Sequence, residues 1–387
     1  MPPPSPPPPR SRRKPQPTAD PQQVSSNLDQ VDSLFRRAGL QRSRREKPAG
    51  VARRARFQDK MPEELRPAPP RTVVAPNGVE WIPVPAWQSL PWLWHGFATR
   101  RGGLTTCYAR EGSAGELGEL NLGFTPDDDR ANVLQNRRLL AEAITGNPDT
   151  PLATLRQIHS SVLVIESTAH ERTAGLQTGC SGDLQIPTSQ PASSPVCKGD
   201  GILTGRPGIL LGIQTADCTP VLVADRRRKV VAAFHAGWRG TVRRIVQNGI
   251  GRMRLEFGCR PEDLIAAIGP GIGPCCYAVG EEVLSEFESQ FAYARELFHE
   301  VYDTDPVRTK YPMLFLTQRA PGHSPIGPAL HLDVAEANRR QLLDAGLRPA
   351  AIQMTGGCTN CHRDLFFSHR GSQGRAGRML NVVGIAP

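Results

Sequence analysis

The feature that most constrains the fold is the stretch 198–240, in which three short apolar runs follow one another. The runs GILLGIQ, PVLVAD and VVAAF are rich in Val, Ile and Leu, and Gly, Pro or charged residues bound each of them. This pattern predicts buried β-strands, because a helix would need a longer periodic run. The polar segment 225–228 separates the last two runs and has the length of a hairpin turn.

Two residues that bind metals well lie in this stretch, Cys218 at the end of QTADC and His235 at the start of HAGWRG. If Ala224 pairs with Lys229 across the turn, Cys218 lies opposite His235 on one face of the hairpin, with Cβ atoms roughly 4.5–5.5 Å apart. Zinc bonds to sulfur and nitrogen fit that gap. Pro220 allows a slip or a bulge, and a slip by one residue would turn one side chain to the other face.

A catalytic zinc usually takes three protein ligands and leaves the fourth position for water, whose pKa falls towards neutrality. His159 is the best third ligand, because it belongs to a strand predicted over Leu155–Ser167 and small polar residues flank it. The sequence therefore predicts a His2Cys zinc site. A buried cysteine with two hydrogen-bonded histidines and no metal is the alternative that the motifs leave open.

Two charged residues near these ligands are further candidates. Asp217 precedes Cys218, and we expect its carboxylate either to orient a neighbour of the metal or to cap a turn. Arg239 lies in a Gly-bounded turn leading into a helix, where a guanidinium would suit a phosphate. A structural pairing of Arg239 with a carboxylate is the competing interpretation.

Other cysteine and glycine patterns carry less information. IGPGIGP lacks the residues of a nucleotide-binding loop, and turn geometry is the better interpretation. Cys358, Cys361 and His362 match a haem-attachment pattern, but that chemistry needs an exported protein and no export signal is visible. Cys275 and Cys276 are adjacent, and no spacing supports a second metal site.

The basic charge of the chain belongs to its first part. Residues 1–71 are rich in Pro and Arg and carry nearly all of the formal net charge of +10. Proline-rich sequence without an apolar period cannot bury a core, so this tail is predicted to be disordered. Because the remainder, 72–387, is nearly neutral, we expect no nucleic-acid partner for the folded domain. The polar segment 166–198 is predicted to be a mobile insertion.

Strand and helix patterns mix in 72–387 without regular alternation, which predicts a single α/β (α+β) domain with a mixed sheet and flanking helices. Predicted helices cover Arg130–Ile144 after an acidic cap, Thr241–Phe257, a segment ending near Phe291, and a segment between Asp333 and Gly346. The nine cysteines are an odd number, and no run reaches membrane-spanning length. We therefore expect reduced thiols, a cytoplasmic location and no membrane partner.

Several motifs together resemble one known family. TADC, HAGWRG, IGPGIGPCCY, CTNC followed by FFSHR, and GRM stand in the same order as in the YfiH/laccase-domain family, as do HGFATRRGG, LNLG and QIHS upstream. The similarity runs from about Trp94 to the last residues and leaves out the tail and the insertion. Members of that family are described as purine nucleoside phosphorylases and, in bacteria, also as a peptidoglycan editing factor.

The resemblance implies a YfiH-like single domain with zinc bound by His159, Cys218 and His235, the three residues already identified. It implies phosphorolysis of adenosine, inosine, guanosine or methylthioadenosine to base and ribose 1-phosphate, together with deamination of adenosine. Inorganic phosphate is then a co-substrate, which we expect Arg239 and Arg100 to hold, and Asn121 is expected to contact the ribose.

Three alternatives remain at this point. A copper-dependent polyphenol oxidase would use Cu2+ at the same residues, although oxygen reduction normally needs several coppers and no further His-rich cluster is present. A metal-free hydrolase, including an enzyme that edits peptidoglycan precursors, would use Cys218 as nucleophile and His235 as base. A non-enzymatic binding protein would act through the basic tail. The oligomeric state is not indicated.

Overall fold

The computed structural model describes residues 67–109, 118–166, 183–184, 197–301 and 329–387, the pair 183–184 by its backbone alone. These ranges fall in one compact unit, Phe57–Pro387. Most of the tail predicted over 1–71 and most of the insertion predicted over 166–198 lie outside the described residues, and both remain predictions.

Strands outnumber helices in the described ranges. The strands are β1 (Val73–Val74), β2 (Glu80–Ile82), β3 (Leu93–Ala98), β4 (Arg101–Gly103), β5 (Gly118–Glu119), β6 (Leu152–Thr154), β7 (Leu163–Ile165), β8 (Asp183–Leu184), β9 (Gly201–Thr204), β10 (Ile209–Thr215), β11 (Thr219–Asp225), β12 (Val231–Ala236), β13 (Leu264–Ile268), β14 (Ala278–Val279), β15 (Phe298–Val301), β16 (Ala329–Leu332), β17 (Ile352–Met354) and β18 (Met379–Ile385). The α-helices are α1 (Arg130–Thr145), α2 (Trp238–Val242), α3 (Ile245–Phe257), α4 (Glu281–Gln290) and α5 (Val334–Asp344).

Two large mixed sheets form the centre of the molecule. One has the strand order β1-β2-β3-β18-β10-β6-β8, and the other has the order β17-β13-β11-β12-β9-β7. Most neighbours are antiparallel, but β10 with β6, β13 with β17 and β7 with β9 are parallel. Smaller sheets join β14, β16 and β15, and β4 with β5. The mixed α+β class is confirmed, with the strands divided among several sheets.

The main hydrophobic core lies between the two large sheets. Phe97 of β3, Leu211 of β10 and Val383 of β18 meet Leu222 of β11 and Ala233 of β12 there, all of them fully buried. A second core covers the other face of the six-stranded sheet that contains β11 and β12, where α3 and α5 pack against it. The strands β11 and β12 thus have a core on each face, and β10 is buried except at Gln214, as the sequence predicted for these runs.

Helix ends follow the predicted capping chemistry. The carboxylate of Asp129 accepts the backbone N–H of Ala131 and begins α1, and Asp333 accepts that of Glu336 and begins α5. The helix predicted over Thr241–Phe257 is instead broken into α2 and α3. Arg244 has φ of 60°, a left-handed conformation that interrupts the helical hydrogen bonds.

The hairpin exists, but the predicted pairing is wrong. Ala224 pairs with Val231 rather than with Lys229, and His235 pairs with Pro220 rather than with Cys218. The difference arises in the turn, where the Asp225 carboxylate accepts two backbone N–H groups at 2.8 Å and lengthens the connection. Because the register differs by two residues, each side chain keeps its predicted face.

Of the helices in the described ranges, none combines the length and the apolar character that a membrane-spanning segment requires.

A candidate metal site where two strands and a loop meet

Cys218 and His235 come from consecutive strands of the hairpin. His235 is near the end of β12 and is buried, with 3% of its surface exposed. Cys218 lies just before β11, in the short connection after β10, and is half-buried. Since Cys218 and Pro220 are two residues apart and Pro220 pairs with His235, the thiol and the imidazole lie on the same face.

His159 reaches the same place from a loop and not from a strand. The predicted strand Leu155–Ser167 is reduced to β7, which begins at Leu163, and His159 precedes it with φ of 55°. The imidazole is exposed, and its ring centroid lies 4.9 Å from that of His235, in an edge-to-face arrangement. This position gives the cluster one solvent-facing side.

A buried carboxylate, Asp200, joins the loop to the strand. Its Oδ1 accepts the His159 backbone N–H at 3.0 Å and lies 2.8 Å from Nδ1 of His235. Its Oδ2 accepts the backbone N–H and the hydroxyl of Ser160, each at 2.7 Å. Asp200 is fully buried just before β9, the strand that pairs with β12. One carboxylate therefore sets both the loop conformation and the orientation of the His235 ring.

The charges of the cluster reinforce one another. Burial raises the pKa of the Cys218 thiol, but the charge of His235 and hydrogen bonds from both histidines outweigh it and lower the pKa to about 6. Burial lowers the pKa of His235, but Cys218 and Asp200 raise it to about 9. Burial raises the pKa of Asp200, but hydrogen bonds from His235 and Ser160 lower it to about 2. Cys218 is thus predominantly a thiolate at neutral pH.

The three residues fit the donor set of a zinc ion. One ligand atom from each of His159, Cys218 and His235 lies within 4.8 Å of the other two. Thiolate sulfur and imidazole nitrogen are the ligands that zinc prefers. Because Asp200 engages Nδ1 of His235, Nε2 is left to face a cation, as is usual for metal-binding histidines. A cation there would replace the proton on that nitrogen.

The Asp217 carboxylate is held by two hydrogen bonds from a later part of the chain. Its Oδ1 accepts the hydroxyl of Thr359 at 2.6 Å, and its Oδ2 accepts the backbone N–H of Arg370 at 2.7 Å. With φ of 90°, Asp217 makes the turn that leads from β10 into Cys218. The carboxylate anchors this turn against the loop containing Thr359, which agrees with the capping interpretation.

Arg239 extends from α2 beside this site. Its side chain is exposed, its guanidinium lies 4.5 Å from the centroid of the Trp238 ring, and it forms no ion pair with a described residue. Burial and the charge of Cys218 raise the pKa of Tyr277 to about 12, while the charges of Arg370 and Arg239 act in the opposite direction. The hydroxyl of Tyr277 is thus close enough to Cys218, Arg239 and Arg370 to be affected by the charge of each.

Arg100 and Asn121 have partners inside the protein. The Arg100 guanidinium binds the Glu119 carboxylate at 2.6 Å, donates to two backbone carbonyls at 2.8 Å, and stacks on Phe367. The fully buried Asn121 amide donates to Gly123 and Asp128 and accepts two backbone N–H groups. This use of their polar atoms does not favour the predicted phosphate and ribose contacts.

Sequence reasoning missed Asp200 and Tyr277. Asp200 stands in KGDG immediately before an apolar strand, where an acidic residue is unexpected unless its carboxylate has buried partners. The acidic residue at this position could be noticed in the sequence, but its hydrogen-bond partners could not, because His159 and His235 are distant from it in the sequence. Tyr277 follows the Gly/Pro turn and has no motif of its own.

Comparison with known proteins gives a consistent result. The family model described as multi-copper polyphenol oxidoreductase laccase matches residues 94–386. The chain is 33% identical to a purine nucleoside phosphorylase, YlmD of Geobacillus stearothermophilus, over 74% of the chain and 91% of that protein. It is 31% identical to an adenosine deaminase from an unknown prokaryotic organism, over 74% of the chain and 92% of that protein.

A solved structure agrees with these matches. The crystal structure of the Bacillus licheniformis hypothetical protein YfiH aligns with a TM-score of 0.60 and 25% identity, over 81% of the chain and 98% of that protein. Since the family model alone covers most of the chain, the chain belongs to the laccase-like, YfiH-related family that its motifs resemble.

Proposed function

We propose that this protein is a cytoplasmic, zinc-dependent enzyme acting on purine nucleosides. It would cleave adenosine, inosine, guanosine or methylthioadenosine with inorganic phosphate to give the base and the (methylthio)ribose 1-phosphate, and would deaminate adenosine to inosine. The observation that carries the proposal is the convergence of His159, Cys218 and His235 within 4.8 Å around a solvent-facing side. The purine enzymes among its relatives supply the substrate class.

The three ligands have distinct tasks in this proposal. Cys218 brings negative charge, His235 is fixed from behind by Asp200, and the exposed His159 lies on the side where a substrate approaches. A zinc ion held there would supply Lewis acidity and activate water at neutral pH. Asp200 would also bind the His159 loop, so that substrate entry does not displace that ligand.

Phosphate is the second reactant of phosphorolysis. The bond from ribose C1′ to the base nitrogen breaks, a phosphate oxygen bonds to C1′, and the base leaves with a proton. The exposed guanidinium of Arg239 suits a phosphate, since arginine binds phosphate oxygens in a bidentate manner. Arg370, whose charge lowers the pKa of Tyr277 as that of Arg239 does, would be the second cation for phosphate in place of Arg100.

A direct assay tests the proposal. Zinc-loaded protein is incubated with adenosine, with and without phosphate, and adenine, hypoxanthine, ribose 1-phosphate and inosine are quantified by chromatography. We expect adenine and ribose 1-phosphate only with phosphate, and inosine under both conditions. Because inosine is itself a substrate, the ribose 1-phosphate should equal the sum of adenine and hypoxanthine. Absence of both activities would overturn the proposal.

Variants relate the activity to the site. Cys218→Ala removes a metal ligand. Because loss of a residue that only hydrogen-bonds a metal ligand typically costs 10- to 100-fold, loss of the ligand itself should lower kcat/KM by roughly 100-fold or more. Cys107→Ala is a matched control, since Cys107 is also half-buried but belongs to neither cluster of ligand atoms. Full activity in Cys218→Ala would contradict the assignment, even if the wild type is active.

One observation favours a second candidate, a metal-free hydrolase. A thiolate of pKa about 6 beside an imidazole of pKa about 9 is also the arrangement of a cysteine nucleophile and its base. Peptidoglycan precursors are the substrates to test in this case. Chelator-treated protein that keeps its activity, and loses it when iodoacetamide alkylates Cys218, would replace the zinc proposal with this one.

The copper oxidase finds less support in the geometry. In the described part of the chain, the groups able to hold a metal are the His2Cys cluster and a cluster of four cysteines. Neither provides the additional histidines that several coppers would need. Phenol oxidation at a rate proportional to bound copper would nevertheless establish that activity.

A further inference from the structure

Four cysteines meet beside the candidate site. Cys275 and Cys276 follow the Gly/Pro turn after β13, and Cys358 and Cys361 lie between β17 and β18. All four Sγ atoms lie within 4.8 Å of one another. Cys361 Sγ is 3.5 Å from Sγ of Cys275 and 3.5 Å from Sγ of Cys276. The two pairs are more than 80 residues apart in the sequence, so the fold alone unites them.

These distances match a shared cation better than covalent bonds. Sulfurs joined in a disulfide are about 2.05 Å apart. Four sulfurs at about 2.3 Å from a tetrahedral zinc are roughly 3.8 Å from one another. The backbone N–H of Gly273 also donates to Sγ of Cys358 at 3.2 Å, a hydrogen bond that favours the thiolate form.

Little apolar packing surrounds these thiols. Ile272 and two of the cysteines form the whole buried cluster in this corner, and the other two cysteines and Tyr277 lie half-buried beside it. Cys358 has no exposed surface and Cys275 only 1%. A corner with so small a core is where proteins use a structural metal to hold loops together.

We propose that Cys275, Cys276, Cys358 and Cys361 bind one Zn2+ ion in a closed tetrahedral site that joins the two loops. Four thiolates complete the coordination, leaving no position for water or substrate, so this centre is structural. The neighbouring His362 is not a ligand, because neither of its ring nitrogens belongs to the cluster of ligand atoms, and its Nε2 instead lies 3.0 Å from the Pro67 carbonyl oxygen. The proposal does not depend on the function proposed above.

The centre acts on the candidate active site through Asp217. Thr359, between the two cysteines of the second loop, donates to the Asp217 carboxylate, and Ile272 of the first loop donates to the Asp217 carbonyl at 2.8 Å. The loops also contact each other directly, because Thr359 donates to the Gly271 carbonyl at 3.0 Å. A zinc that fixes both loops therefore fixes the turn that presents Cys218.

Metal content measured by mass spectrometry tests the proposal on the full chain, purified under reducing conditions with zinc. We expect two zinc ions per chain in the wild type and in the control Cys107→Ser, and one in Cys361→Ser or Cys276→Ser, whose thiols are half-buried. Cys218→Ser should also retain one ion, and Cys218→Ser combined with Cys361→Ser none. An unchanged zinc content in both Cys361→Ser and Cys276→Ser would overturn the proposal.

These outcomes separate the two metal sites. If the His2Cys cluster binds no zinc, the wild type contains one ion, which Cys361→Ser loses and Cys218→Ser keeps. The structural centre would then stand while the proposed function fails.

Measurements on the wild type avoid any effect of the substitutions on folding. Protein substituted with Co2+ should show sulfur-to-cobalt charge-transfer absorption of the strength of a four-thiolate site, most of which persists when iodoacetamide blocks Cys218. The four thiols should resist Ellman's reagent until a chelator is added. Equal reactivity with and without chelator, or a disulfide among the four cysteines, would contradict a zinc centre.

Discussion

Single residues explain both what the sequence predicted and what it missed at the site. His159, Cys218 and His235 were identified from their types and from the strands beside them, and their ligand atoms do meet. Cysteine and histidine are themselves the usual zinc ligands, so the residue types alone indicate a metal site. Asp200 was missed because the value of a carboxylate depends on its partners, and those partners come together only in the folded chain.

The direction of a polar side chain near a turn is equally hidden from the sequence. Arg100 and Asn121 lie in Gly-containing motifs, and either side chain can in principle face a ligand or the interior. In the structure Arg100 binds Glu119 and Asn121 binds Asp128. Such pairing depends on tertiary contacts that local spacing does not encode.

Replacement of Asp200 by Asn tests its role as a positioning residue. Asp200→Asn keeps the size of the side chain but replaces one oxygen by an NH2 group. Each oxygen takes part in two of the four short hydrogen bonds, so two of them lose their acceptor. We expect zinc affinity to fall about 10- to 100-fold, as is typical when the partner of a metal-binding histidine is lost. Competition with a fluorescent zinc chelator measures this change.

A matched variant separates positioning from general stability. Asp225 is also fully buried and accepts two backbone N–H groups, but it caps the hairpin turn at the opposite end of β11 and β12. Asp225→Ala removes the acceptor of both N–H groups, so it should lower the melting temperature without changing zinc affinity. Equal zinc affinities for Asp200→Asn and Asp225→Ala would refute the positioning role of Asp200.

At the scale of elements, the hairpin shows why a conclusion survived an incorrect register. The turn closes two residues later than predicted, and strand side chains alternate with a period of two. Cys218 and His235 therefore stay on one face, although they are not directly opposed. The break between α2 and α3 was not predictable from apolar spacing, since the apolar positions continue across Arg244 and only its φ of 60° interrupts the helix.

Gly237, which connects β12 to α2, is required for the approach of Cys218. A Cβ atom at Gly237 would lie 2.8 Å from Cys218 Sγ and 3.7 Å from His159 Cδ2. Its φ of −67° suits any residue, so Gly237→Ala introduces no backbone strain and acts through contact with the thiol alone. We expect this variant to displace the thiol and to lower both zinc content at the His2Cys site and nucleoside turnover at least 10-fold.

Gly251→Ala provides the comparison. Gly251 lies in α3, and an added Cβ there meets no atom within 4 Å. Alanine in a helix interior is favoured over glycine by roughly 0.5–1 kcal/mol, so this variant should be slightly more stable and fully active. A Gly237→Ala protein with the zinc content and turnover of Gly251→Ala would show that Cys218 tolerates the extra methyl group and would weaken the assigned geometry.

For the whole molecule, the fold class followed from the mixture of strand and helix patterns, but the pairing of strands did not. The large sheet places β3 beside β18, elements from the two ends of the described chain. Local sequence gives no register for such distant partners, whereas the β11–β12 hairpin could be located from its turn. The same limit applies to the four cysteines, whose pairs lie on loops far apart in sequence.

The role of the first residues can be tested by truncation. The carbonyl oxygen of Pro67 accepts a hydrogen bond from His362 Nε2 at 3.0 Å. Pro70 lies against Gly357, since a Cβ atom on that glycine would be 3.0 Å from Pro70 Cδ. Both contacts reach the loop that contains Cys358. A protein beginning at residue 67 keeps them, and we expect it to match the full chain in turnover and zinc content.

Removal of five further residues supplies the contrast. A protein beginning at residue 72 loses the contacts of Pro67 and Pro70, so its loop 357–362 should exchange backbone hydrogens faster, by roughly 10-fold for each 1.4 kcal/mol of lost local stability. Hydrogen-exchange mass spectrometry on both truncated proteins measures this difference. Equal exchange would mean that the loop is held from within, as a zinc-bound four-cysteine centre would hold it, whereas loss of turnover in the protein beginning at residue 67 would favour the binding role of the basic tail.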